Sequence, residues 1–293
     1  MLAQDKESLV ELLLSEAADS PRLHDRLFME VAKGRPGGVD VATFRAAIDR
    51  AVEVEDYDYG GDYAHPSGID DVIASLEGLL REGHPEIVID LAEYALSEVE
   101  QSLEEIEESW RVDGIFDELA RLHLAACRKA RPDPEELAGR LLEMELKFEY
   151  GYFSDAVDTY SRVLGRTGRA AYKNLAEQKW AQVPALGPGD TGNYERHAIT
   201  KIMEALARAS GDIDELVGVK RHDLSSPHDF LEIAKLYEDA DRADETLAWA
   251  ERGLREFPGR ADTALSELAA DHYHRRGRHG EAIALAWARF QDV

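Results

Sequence analysis

Near its C-terminus the chain repeats itself at an interval of 36 residues, and that period limits its folding more than any other feature. Ala234 returns as Ala270, Tyr237 as Tyr273, Asp241 as Gly277, Glu245 as Glu281, Leu247 as Ile283 and Ala250 as Ala286. Within each copy the small and aromatic residues recur at three- and four-residue spacing, and a turn residue divides the copy into two helices. One such helical hairpin cannot bury its own apolar face, so neighbouring hairpins must stack. Looser echoes upstream (Gly83, Val88, Ala92 and Ala95 against Gly151, Ala156, Tyr160 and Val163) extend the pattern toward the N-terminus.

Helical periodicity runs through almost all the rest, and alternating strand patterns are nearly absent. Leu9, Leu12, Leu13 and Ala17 line one helical face, and Val41, Phe44, Ile48 and Val52 another. Pro21 opens a helix at a position where its missing N–H costs nothing. The expected class is all-α, an α-solenoid of irregular hairpins. Three regions are predicted: 1–183 as a hairpin array, 184–193 as a flexible Pro/Gly joint (P-A-L-G-P-G-D-T-G-N), and 194–293 as a helical region ending in the two regular repeats.

The stretch Glu232 to Pro258 resembles a tetratricopeptide repeat, with Ala234, Tyr237, Ala250, Gly253 and Pro258 at its small, aromatic and terminating positions. A second resemblance covers most of the chain. T43-F-R-A-A-I-D-R-A-V52, the run from Leu76 to Leu96, L119-A-R-L-H-L-A-A-C127, the run from Pro132 to Leu141 and V163-L-G-R-T-G-R-A-A-Y172 look like the helical region of bacterial SWIM zinc-finger proteins and their stand-alone relatives. That resemblance implies an adaptor associated with nucleic-acid proteins. A SWIM finger needs a C-x-C pair followed by C-x-H, which the single Cys127 cannot supply, so the finger's role does not carry over.

Charge narrows the partners. Lys and Arg number 34 against 60 Asp and Glu, a net charge of −26, so phosphate backbones and anionic lipid surfaces are repelled. One cysteine rules out an internal disulfide and fits a reducing compartment. The charged N-terminus lacks a signal-peptide pattern, and no apolar run reaches the ~20 residues that span a membrane. A cytoplasmic protein is expected, with a protein or peptide partner and neither nucleic acid nor membrane.

No cofactor and no metal are expected. The acidic stretch E55-D-Y-D-Y-G-G-D-Y-A-H65 invites comparison with a calcium loop, but counting from Asp56 places Gly60 at position five and Ser67 at position twelve, where a bidentate Glu is required. Tyr57, Tyr59 and Tyr63 are read as a wet connector, with a peptide-contacting rim as the alternative. His123 and Cys127, four apart, share a helix face; a histidine bonded to a backbone carbonyl beside a buried thiol is preferred to a metal pair. His123 is also placed near an acidic turn, E107-E-S-W-R-V-D-G114, as a possible polar pocket. D271-H-Y-H-R-R-G-R-H-G-E281 is basic; it is read as complementing a helix dipole, or as an anion-binding end of the solenoid.

Nucleotide-binding and hydrolase signatures are absent, and Pro188 spoils the glycine run G187-P-G-D-T-G192 as a phosphate cradle. No catalytic residue is assigned. The expected function is a non-catalytic protein-interaction scaffold; the alternative is an enzyme or small-anion binder with an unrecognised site. First helices of the repeats would line the groove, making Lys235, Asp239, His274 and Arg275 the partner-binding candidates, with Glu232 and Asp271 beside them. Trp249 and Trp287, on second helices, are expected to pack between repeats.

Overall fold

The computed structural model describes residues 6–35, 37–52, 67–103, 113–148, 155–258 and 263–291, excluding the side chains of 288–291. Tyr57, Tyr59 and Tyr63, the Asp56 loop as far as residue 66 and the acidic turn up to residue 112 lie outside them. The described residues form fifteen helices with no strand, so the chain is all-α. A lone bridge joins Leu186 to Asp223. No helix among the described residues is long and apolar enough to cross a membrane.

The chain divides into two compact units, 1–169 and 170–293. The first contains α1 (Lys6–Asp19), α2 (Pro21–Lys33), α3 (Val41–Val52), α4 (Ser67–Glu82), α5 (Pro85–Leu103), α6 (Asp113–Ala130), α7 (Pro134–Lys147), α8 (Ala156–Thr159) and the start of α9 (Ser161–Trp180). Its helix ends follow local chemistry. The Ser20 hydroxyl accepts from the Leu23 N–H ahead of Pro21, and Asp133 accepts from the N–H groups of Glu135 and Glu136 ahead of Pro134. The core forms where α3 packs on α4 and α5, and α5 on α6. Phe44, Ile48, Leu76, Leu79, Leu91, Phe116 and Leu119 are all sealed there. Gly165 interrupts α9 with φ 58° and ψ −155°, a conformation that a side chain disfavours.

The second unit contains the rest of α9, α10 (Tyr194–Ser210), α11 (Ile213–Lys220), α12 (Pro227–Asp239), α13 (Ala243–Glu256), α14 (Thr263–Arg275) and α15 (His279–Gln291). Helices α14 and α15 begin 36 residues after α12 and α13. The turn inside each pair is left-handed at Asp241 (φ 57°) and Gly277 (φ 76°), also 36 apart. Phe230, Ile233, Tyr237, Leu247, Ala250 and Leu265 make the core. Gly253 lets three helices meet: a Cβ there would come within 2.7 Å of both Phe230 on α12 and Leu265 on α14.

The 184–193 stretch is the one expected to act as a joint. The units divide at 169/170, and the stretch lies wholly inside the second. Leu186 N–H donates to His222 O (2.8 Å), Leu224 N–H to Leu186 O (3.0 Å), and the Arg196 guanidinium to the carbonyls of Pro184 and His222. Proline and glycine deny this segment a helix, so the Pro184 carbonyl is met by a buried arginine and the Leu186 carbonyl by the Leu224 N–H.

Candidate functional site

Among the described residues of the first unit, a buried chain of titratable side chains begins at His123 on α6, which has no solvent exposure. Its Nδ1 lies 2.7 Å from the Tyr160 hydroxyl and its Nε2 3.0 Å from Glu93 Oε1 on α5. Arg140 on α7 lies 3.2 Å from Glu93 Oε1 and 3.3 Å from Oε2. The Cys127 sulfur sits 3.7 Å from His123 Nε2 and 3.9 Å from Nδ1. In one assignment Nε2–H donates to the carboxylate and the Tyr160 hydroxyl donates to Nδ1; that hydroxyl also lies 3.4 Å from the Ala120 carbonyl, a second acceptor.

His123 and Cys127 do share a face, and the thiol is buried as expected. The histidine's partner is different: Glu93 and Tyr160 take the place of the expected backbone carbonyl. Residues 30 and 37 positions away in sequence supply both bonds, so nothing in the local pattern could have named them.

Tyr, His and Glu in this order could in principle relay a proton from a hydroxyl. The environment works against it. Burial, followed by the nearby Cys127 and Glu93, pushes the Tyr160 phenol far above its ordinary value. Burial, followed by Glu93, pushes the Cys127 thiol up to about 12, so it stays protonated and unreactive at neutral pH. Tyr160 is 2% exposed, which leaves a substrate no approach to its hydroxyl. Among the described residues, no group of three or more His, Cys, Asp or Glu is placed to hold a metal.

In the second unit the partner-binding candidates stand on two neighbouring helices. Lys235 and Asp239 on α12 are exposed, as are His274 and Arg275 on α14. At the 36-residue offset Lys235 corresponds to Asp271 and Asp239 to Arg275, so the two helices carry opposite charges at matching positions. Arg275 lies 3.6 Å from Glu238 on α12 and 3.8 Å from Asp271. Glu238 also meets His272, which is 3% exposed, at 3.3 Å. Glu238 thus ties α12 to α14, a role that sequence reading had not given it.

The basic run that suggested an anion site is largely neutralised. Arg276 lies 2.7 Å from Asp244, and Arg278 lies 3.2 Å from Glu251 and also pairs with Glu281. His272 is buried while His274 is exposed, as their angular separation requires, and His274 Nδ1 lies 2.9 Å from Nδ1 of His279.

Trp249 is half-buried between Phe230, at 5.9 Å between ring centroids, and Arg252, at 5.0 Å from the ring. Trp287 departs from the reading that buried it between repeats: it is 60% exposed. Its helix matches α13 in position, but Ile283, the counterpart of the buried Leu247, is also open at 67%.

A family model described as a family of unknown function, DUF6880, matches residues 3–293. No curated protein matches the chain. Nothing in the family match links the chain to SWIM zinc-finger proteins or to tetratricopeptide repeats.

Proposed function

We propose that this chain, which belongs to the DUF6880 family of unknown function, is a non-catalytic interaction scaffold that binds a protein or peptide across α12 and α14. The observation that carries this reading is the mixed-charge surface on those helices. Lys235 and Asp239 on one helix and Asp271 and Arg275 on the other are exposed in matching register, while Phe230, Ile233, Leu265 and Ala269 seal the side facing the core. A rigid pair of helices with alternating charge suits a partner helix or extended segment carrying both signs, because complementarity fixes register more than it adds affinity. Stacked hairpins, in the manner of a solenoid, would present such a surface without any catalytic group.

The alternative, an enzyme or small-anion binder, draws on the Tyr160–His123–Glu93 chain, and its burial argues for a structural role instead. Affinity capture with cross-linking and mass spectrometry tests the proposal. A discrete partner should cross-link to α12 or α14, and changing Lys235 and Arg275 together to alanine should weaken its capture. The melting temperature should stay within a few degrees, since exposed substitutions usually cost less than about 0.5 kcal/mol. Capture that ignores both substitutions would remove this surface from consideration. A melting temperature raised by nucleotides, sugars or phosphate would favour the alternative.

A further inference from the structure

The two longest stretches of the chain without an aspartate or glutamate are residues 159–176 and 119–132. Both are rich in cations: Arg162, Arg166, Arg169 and Lys173 lie in the first, and Arg121, Arg128, Lys129 and Arg131 in the second. They are separate in sequence, yet the fold joins them. The Tyr160 hydroxyl lies 2.7 Å from His123 Nδ1 and 3.4 Å from the Ala120 carbonyl, so the start of one stretch is fixed to the start of the other. Further along, Gly168 stands so close to the first residue of α7 that a Cβ on it would lie 2.8 Å from the Pro134 carbonyl oxygen.

Three of these cations are occupied. Arg121 and Lys129 turn toward α4, to Glu77 at 3.6 Å and the Leu80 carbonyl at 2.9 Å, and Lys173 pairs with Glu177 and Glu215. Arg128, Arg131, Arg162, Arg166 and Arg169 are exposed, and all five belong to the first unit. Arg131 directly follows α6, three positions before Pro134. Arg128 lies close enough to Tyr160 for its positive charge to oppose the rise in that phenol's pKa. After the break at Gly165, Arg166 and Arg169 are three apart, share one side of α9 and bracket Gly168 in sequence.

None of the five forms an ion pair among the described residues; Arg169 instead donates from Nε to the Gly165 carbonyl at 3.0 Å. The basic run of the second unit behaves differently. There Arg275, Arg276 and Arg278 each meet a carboxylate. In the first unit five guanidinium groups stand around the contacts of α9 with α6 and α7 and meet no carboxylate, in a chain whose net charge is −26. Like charges held together repel, and a bound anion relieves that repulsion.

We infer that this arginine surface, at the end of α6 and the start of α9, is a docking site for an acidic segment of another protein. Guanidinium groups hold carboxylates through paired N–H donors, and arginine clusters recur as readers of acidic motifs. The five occupy three places: the end of α6, the turn before Gly165 and the helix after it. Carboxylates spaced along a chain fit that distribution better than a single phosphate does. A long polyanion such as nucleic acid would run beyond the patch onto acidic surface and be repelled, whereas a short segment at physiological salt feels charges only within about 8 Å. This surface is separate from the one on α12 and α14 and does not depend on what binds there.

A labelled oligoglutamate peptide, titrated into the full chain and followed by fluorescence anisotropy, tests the inference. Saturable binding is expected at about 0.1 M salt and its loss at about 1 M, where charges act over only about 3 Å. Arg166→Glu combined with Arg169→Glu should weaken it about tenfold or more, through the loss of two exposed ion pairs and the new repulsion. Lys235→Ala combined with Arg275→Ala should leave it unchanged. Should the glutamate variant misfold, carbodiimide coupling on the unaltered chain gives a second measure: the peptide's carboxylates should join to Lys129, beside Arg128, in preference to Lys235. Absence of binding at about 0.1 M salt, binding indifferent to both glutamate substitutions, coupling confined to Lys235, or tighter binding of a single-stranded DNA of equal charge would each overturn the inference.

Discussion

His123 has both ring nitrogens committed inside the protein, so its replacement tests whether the buried chain holds the first unit together. Tyr160→Phe removes the donor to Nδ1 and leaves a buried acceptor unmet, which should cost about 1–3 kcal/mol in urea unfolding. His123→Ala adds a cavity to the lost bonds and should cost more, about 2–4 kcal/mol. Either variant behaving like the parent would mean that water satisfies the site. Cys127 offers an independent probe. Held protonated with its pKa at about 12 and out of contact with solvent, its thiol should resist disulfide reagents in the native state and react only as the first unit opens. Rapid native labelling would contradict this placement. Sequence alone had joined His123 to Cys127 through helix spacing; it could not join them to Glu93, Tyr160 or Arg140, because those residues lie on α5, in the turn between α8 and α9, and on α7.

At the scale of the element, the turn and the close packing inside the second unit can be separated by substitution. Asp241 holds φ 57° where the equivalent position has Gly277, so Asp241→Gly relieves a conformation that costs an L-residue roughly 1 kcal/mol. That variant should melt no lower than the parent. Gly253 is the opposite case. Gly253→Ala improves helix propensity by about 1 kcal/mol, yet its Cβ would press on Phe230 and Leu265 at 2.7 Å, and overpacking of this kind typically costs about 1–3 kcal/mol. A net loss of stability is expected, read by thermal melting. Trp249 is half-buried, so Trp249→Ala should cost less than the about 3–5 kcal/mol of a sealed tryptophan. A thermally silent Trp249→Ala would show that its contacts with Phe230 and Arg252 contribute nothing.

For the whole molecule, pH acts through a carboxylate surplus in which some acids are tied to specific cations. Glu232 accepts from Lys220 at 2.6 Å, and this bond lowers its pKa below the ordinary 4.5. The folded protein therefore takes up that proton less readily than the unfolded chain. The resulting stabilisation is complete above pH 4.5 and disappears as the pH falls through the depressed folded value. Glu232→Gln should lower the melting temperature at pH 7 and converge with the parent in stronger acid. Parallel curves for the two proteins down to pH 3 would remove Glu232 from the account.

Helix periodicity and proline placement fixed the all-α class and the start of α2, because each depends on neighbours within one turn. Ser20 before Pro21 and Asp133 before Pro134 are visible without any fold. The 36-residue offset likewise located the turns at Asp241 and Gly277. Tertiary structure decided what those local rules leave open. Leu9, Leu12 and Leu13 form the apolar stripe that periodicity requires, yet they are exposed, since a stripe says which residues share a face but not what that face meets. Leu247 and Ile283 occupy the same repeat position, one sealed and one open, because a neighbouring helix covers only the first. Residues 184–193 have the composition of a joint, and became a fixed part of the second unit when Arg196 reached the carbonyls of Pro184 and His222. In each case the sequence specifies the chemistry a group needs, and contacts made far along the chain determine which group meets it.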